Sequence, residues 1–158
     1  MDEHEDKALD DIEKYGCHIL MVMEGEGEPC FTYSIGINKK QEKPDVVILG
    51  LNNELASKMI NLYNDRISSG ENIKPGKYYS GFLEGFDVCF VKVAKKYYNN
   101  YFGWGLWLHN GDKFDVLQMV WPTTQGLWPW SDNKLESYTW AQPILNEKGK
   151  LAEIKNKK

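Results

Sequence analysis

No stretch of this chain approaches the roughly 18 apolar residues that a membrane-spanning helix requires. The N-terminus is acidic where a secretory signal carries positive charge. These two absences predict a cytoplasmic protein without membrane contact. Excess positive charge is missing as well: the formal net charge is -4 and the pI is near 5.4. A surface of that sign argues against a nucleic-acid partner, because phosphate binding needs a basic face. Cysteine and histidine are scarce, with three of each. Cys17, Cys30 and Cys89 are odd in number and lie in apolar surroundings, which reads as reduced thiols rather than a disulfide framework. No two of His4, His18 and His109 stand at a ligand spacing. Neighbours on a strand point to opposite faces, so Cys17 and His18 do not share an ion, and no metal site is expected.

Catalytic motifs are missing too. A Cys-His pair can be drawn from Cys30 or Cys89 with His18 or His109, but a thiol inside an apolar strand is held protonated and inert. Ser34 lacks the flanking glycines of a nucleophile elbow. Gly25-Glu26-Gly27-Glu28 has the glycines of a phosphate cradle, yet its two carboxylates repel an anion and no lysine follows, so it reads as a hairpin turn. The expectation is a protein without catalytic residues.

What is present is a globular composition, 42% hydrophobic and 27% charged over 158 residues, enough for one domain with a core of its own. The single domain over 1–158 divides into an N-terminal helix (1–15), a core (16–145) and a basic tail (146–158) that carries Lys148, Lys150, Lys155, Lys157 and Lys158. Ala8, Leu9 and Ile12 space the first helix, with Gly16 as its stop. Cys17 to Met23 and Phe31 to Ile37 read as a hairpin, and Asn38 to Pro44 as a polar loop. Asp45 to Leu51 reads as a strand too continuously apolar to be exposed on one face. A helix capped by Asn52 or Asn53 follows, with Leu55, Met59, Ile60, Leu62, Tyr63 and Ile67 as its apolar stripe. Tyr78 to Leu83 and Phe86 to Ala94 form a second hairpin around Glu84-Gly85. Tyr97 to Leu108 is aromatic and helical in spacing, although Gly103 and Gly105 weaken it. Phe114 to Trp121 is the last strand, ended by Pro122. The order predicts an α+β fold: a mostly antiparallel curled sheet or small barrel of about six strands, with two or three helices and an irregular Trp-rich C-terminal tail.

All six tryptophans fall between Trp104 and Trp140. Such a cluster either fills a core over which the tail wraps or lines a contact surface. In the second case Gln118, Gln125, Asn110 and Gln142 supply hydrogen bonds around the rings. The residues singled out for binding a ligand or partner are Tyr33, Gln118, Trp121, Trp128, Trp130 and Gln142.

Phe31-Thr32-Tyr33-Ser34-Ile35-Gly36-Ile37, Pro44-Asp45 to Gly50-Leu51 and Gln118-Met119-Val120-Trp121-Pro122 occur in order with Gly126, Pro129-Trp130 and Gln142-Pro143. From about Gly16 to Leu145 the chain resembles the bacterial domain-of-unknown-function family 4262, and the Gln-x-x-Trp-Pro element is the most specific part of that resemblance. The family's His-Pro-Glu stands here as Lys43-Pro44-Asp45, and the acidic residue after Trp-Pro stands as Thr123. The resemblance implies a fold unit and a bacterial source, without an activity. The order of the first three strands and the helix is also similar to the opening of split-barrel flavin reductases, with Thr32, Ser34 and Asn52 at the stations that hold flavin phosphate there.

Two functions are therefore expected. The first is a non-enzymatic protein-binding domain of the immunity type, which neutralises a basic toxin or effector through its acidic surface and aromatic region. The alternative is a small-molecule pocket for flavin or a nucleotide, possessing Tyr33, Gln118, Trp121 and Trp130 as its lining, in a reductase-like protein.

Overall fold

The computed structural model describes residues 2–25, 27–131, 138 and 141–147. Helix α1 (Glu3–Tyr15) starts at a reciprocal cap: the Asp2 carboxylate accepts from the Glu5 N–H at 2.8 Å, and Glu5 accepts from the Asp2 N–H at 3.3 Å. Two orphan amides are thereby satisfied, and the carboxylates of Glu3, Glu5 and Asp6 suit the positive end of the helix dipole. Strands β1 (His18–Val22) and β2 (Phe31–Ile35) then pair antiparallel in an unbroken register from His18↔Ile35 to Val22↔Phe31.

The polar stretch expected to be a loop begins instead as a short helix, α2 (Ile37–Gln41). Its five residues carry no apolar stripe to mark a helix, and so short a helix is marginal on its own. The cause lies on the next strand, β3 (Asp45–Leu49). Asp45 accepts the Ile37 N–H at 3.0 Å and the Asn38 N–H at 3.1 Å, which are donors the helix start leaves unpaired. The Ser34 hydroxyl also donates to Asp45 at 2.7 Å and accepts from the Val46 N–H at 3.1 Å, tying β2, α2 and β3 together. Asp45 is fully buried; burial pushes its pKa up to about 7 against the pull of these donors.

Helix α3 (Asn53–Ser68) is capped by Asn52, whose side chain accepts from Glu54 and Leu55. It packs Ala56, Met59, Ile60, Tyr63 and Ile67 against Val46, Ile48, Val88, Phe90, Leu117 and Met119 on one face of the sheet. The hairpin β4 (Tyr78–Leu83) and β5 (Phe86–Lys92) follows, then a 3-10 turn (Lys95–Tyr97), α4 (Tyr98–Tyr101), α5 (Gly103–His109) and β6 (Val116–Val120). The opposite face carries Tyr33, Ile35, Val47, Leu49 and Val116 against Ala8 and Ile12 of α1 and the aromatic Tyr98 and Phe102.

The strand order is β1-β2-β3-β6-β5-β4, antiparallel except for the parallel pair β3–β6. The parallel pair arises because the chain leaves β3 through α3, builds β4 and β5 at the far edge, and returns to insert β6 beside β3. The fold is α+β with six strands, as its sequence implies, but β1 and β4 end the sheet without meeting. It is an open curled sheet, and the barrel alternative is corrected accordingly: helices and C-terminal residues cover its two faces, so closure is not needed to bury them. Five α-helices stand among the described residues where two or three were expected. α2 was not foreseen, and the aromatic stretch divides into the end of the 3-10 turn, α4 and α5, with Phe102 between the two helices. No helix among the described residues is long and apolar enough to cross a membrane. Trp140 and residues 148–158 of the basic tail lie outside the described residues.

Candidate docking groove

The sequence placed Leu55 and Leu62 in the core stripe of α3, yet a stripe running from Leu55 to Ile67 through both is wider than the roughly 100° that a core-facing helix needs. The structure resolves the excess: Leu55 and Leu62 are exposed, two turns apart on one flank, with Met59 between them. That flank forms one wall of a groove of about 1060 Å³, whose other walls are Ser80 to Asp87 of the β4–β5 hairpin and Pro122, Gly126, Trp128 and Ser131.

Arg66 fixes the hairpin against α3. Its Nε and Nη2 each donate to the Glu71 carboxylate at 2.7 Å, its Nη1 donates to the Ser80 carbonyl at 2.7 Å, and its guanidinium lies 4.2 Å from the Phe82 ring centre. Such a forked, stacked arginine holds its neighbours more firmly than a surface lysine can. The far wall is held by local bonds. The Thr123 N–H donates to the Leu127 carbonyl at 2.7 Å, and the Trp128 N–H donates to the Ser131 hydroxyl at 2.8 Å. Trp128 stacks on Trp130 with centroids 5.1 Å apart and planes 11° from parallel, and meets Tyr78 edge-on at 5.1 Å. The groove therefore has apolar walls on a rigid frame, with the carboxylates of Glu84 and Asp87 and the ammonium of Lys58 among its lining groups.

The residues singled out from the sequence fall into three places. Trp128 is in the groove wall, with Trp130 stacked behind it. Gln118, Trp121 and Gln142 form a latch that holds the C-terminal residues to the sheet. Gln118, fully buried in β6, donates to the Pro143 carbonyl and accepts the Leu145 N–H, both at 2.8 Å. Trp121 donates its indole N–H to the Leu49 carbonyl at 2.7 Å and meets Tyr138 edge-on at 5.1 Å. Tyr33 lies away from both groups, buried against Phe102, and its hydroxyl accepts the Trp104 N–H at 3.2 Å. Burial pushes its pKa up to about 12. Five of the six residues chosen thus anchor aromatic and backbone partners within the chain, and Trp128 alone among them lines the groove. Leu55 and Leu62 were expected in the apolar stripe of α3; the signal that distinguishes them is the width of that stripe.

The described residues contain no group of three or more His, Cys, Asp or Glu side chains placed to hold a metal ion. Cys17 is 4% exposed, and burial, reinforced by the nearby carboxylates of Asp45, Asp11 and Asp65, pushes its thiol up to about 12. Beside it His18 Nδ1 lies 2.8 Å from the Asp11 carboxylate, joining β1 to α1. Burial raises the Asp11 pKa, but the hydrogen bonds from His18 and Lys7 outweigh it and hold the carboxyl below its usual range.

No curated protein and no solved structure matches the chain. A family model matches residues 11–134, from the last turns of α1 through β6 and the segment 121–131 that lines the groove, and the chain belongs to the family described as Domain of unknown function (DUF4262).

Proposed function

We propose that this chain is a non-enzymatic protein-binding domain of the immunity type, which neutralises a basic toxin or effector by taking an apolar side chain of its partner into the groove. One observation carries the reading: Leu55 and Leu62 stand exposed over a groove whose lining also includes Phe86, Pro122 and the edge of the otherwise buried Trp128. Exposed leucines on the wall of a concave surface form an apolar patch of the kind that a partner's side chain covers, and the surrounding polar groups supply its rim. Completing the burial of each leucine contributes on the order of 1 kcal/mol. The net charge of -4 favours a basic partner and speeds its approach.

The test places a photo-crosslinking amino acid at Leu62, and in parallel at the exposed Lys113, in the host cell. The reading requires an adduct with a basic protein at position 62 that is absent at 113. That adduct must disappear on Leu55→Asp while the melting temperature stays unchanged. Equal adducts at the two positions, an adduct indifferent to Leu55→Asp, or none at position 62 would each overturn it.

A further inference from the structure

Of the seven exposed large hydrophobic residues among the described ones, Leu9, Tyr15, Met21, Val22 and Met23 lie on α1 or on and beside β1, away from the groove. Met21 is 54% exposed and Met23 74%. β1 ends the sheet order, so its outer edge has no strand partner among the described residues. The two sheet edges are built differently. β4 breaks register between Tyr79 and Leu83, bends at Gly81 with φ at +92°, and has its Ser80 carbonyl occupied by Arg66. Those are devices that deter a further strand. β1 has none of them: its register is unbroken, and His18 to Met23 contains no proline, lysine or carboxylate.

The charge around this edge selects its occupant. Residues 2–24 hold eight carboxylates against two lysines, more than the whole chain's excess of four. Both lysines are already paired, Lys7 with Asp11 at 3.2 Å and Lys14 with Asp10 at 3.1 Å. A second copy joined antiparallel through β1 would bring two acidic α1 helices onto the same face of the joined sheet, where they repel. A basic segment meets the opposite situation. We infer that the free edge of β1 is a second contact surface, which takes up an extended, lysine- or arginine-bearing segment of a partner protein as a seventh strand. Main-chain hydrogen bonds supply the pairing. Alternate side chains of the segment rest on Met21 on one face and meet the carboxylates of α1 on the other. This surface is independent of the groove and stands or falls separately.

The probe is a short amidated peptide alternating lysine and valine, with a glutamate–valine peptide as its counterpart, read by amide hydrogen exchange and backbone chemical shifts. The lysine peptide is expected to slow exchange of the outward amides of β1 by about tenfold at saturation and to weaken with added salt. Met21→Lys should abolish that protection without lowering the melting temperature, and Leu62→Asp should leave it intact. Protection by the glutamate peptide to the same degree overturns the inference. So do shifts that map to the groove, absence of protection at β1, and a peptide-free dimer that Met21→Lys dissociates; the last identifies a second copy as the occupant.

Discussion

Gln142 makes with one side-chain amide both of the backbone hydrogen bonds that a neighbouring strand would make to Trp121. Its Oε1 accepts the Trp121 N–H at 2.9 Å and its Nε2 donates to the Trp121 carbonyl at 2.9 Å. β6 ends at Val120, so the ladder stops one residue short of Trp121, and the glutamine extends it where no strand is present. Nε2 also lies 3.2 Å from the Tyr138 hydroxyl, which itself donates to the Trp121 carbonyl at 2.7 Å.

Gln142→Ala removes that substitute strand and leaves the Trp121 N–H without its partner in a half-buried position. The expected loss is about 2–4 kcal/mol of unfolding free energy, together with a red shift of tryptophan emission as the latch loosens. Chemical denaturation followed by fluorescence measures both. A loss below about 0.5 kcal/mol would show that the latch does not hold the C-terminal residues to the sheet.

Asp45 gives the fold a pH dependence of defined sign. Its folded pKa, about 7, stands above the unfolded value of 3.8, so the folded state binds the proton more tightly. The contribution is fully present below about pH 4 and is lost as pH rises through 7, an effect of roughly 4 kcal/mol. His109 acts in the opposite sense. Burial first, then Lys39 and Lys95, lowers its pKa below 6.5, so its contribution is present at high pH and lost as pH falls. Asp45→Asn isolates the carboxyl. Wild type minus variant stability should fall between pH 4 and 8, as read by urea midpoints across that range, and a flat difference would remove Asp45 as the titrating group.

The same residue shows where sequence reading stops. β3 was legible because Val46, Val47, Ile48 and Leu49 form a continuous apolar run, and α3 because its stripe repeats at helical spacing. α2 was not legible, because Ile37 is its only buried residue and its amides are satisfied by a carboxylate on another strand. The strand order was hidden for a related reason: nothing local to Val116–Val120 specifies insertion between β3 and β5. The tryptophans stand out by their clustering, but composition cannot divide Trp121, bonded to the Leu49 carbonyl, from Trp128, which reaches the groove lining. Hydrogen bonds between residues far apart in sequence made that division.

The thiols should separate by burial. Cys17 and Cys89 are buried, whereas Cys30 is partly exposed and donates to the Leu51 carbonyl at 3.3 Å. In the native protein dithiobis(nitrobenzoate) should modify Cys30 first. Cys17 and Cys89 should react only through unfolding, several orders of magnitude more slowly. Mass spectrometry of the peptides at early times checks the order, and early labelling of Cys17 would contradict its place in the core beneath α3.

Gly50 stands at the end of β3 with φ at +83°, and a Cβ there would collide with the Ala141 carbonyl, a backbone atom that cannot rotate away. Gly70 shares the left-handed conformation, φ +101°, but a Cβ on it meets open space. The pair separates strain from collision. Gly70→Ala carries only the conformational cost, about 1–2 kcal/mol. Gly50→Ala carries that cost and must also lift the chain at Ala141, so it should lose at least about 2 kcal/mol more. The added loss should coincide with easier proteolysis C-terminal to Ser131, because the Gln142 latch follows Ala141 directly. Equal losses for the two variants would mean that the C-terminal residues do not lie over Gly50, and the role of Gln142 in latching them to the sheet would fall with them.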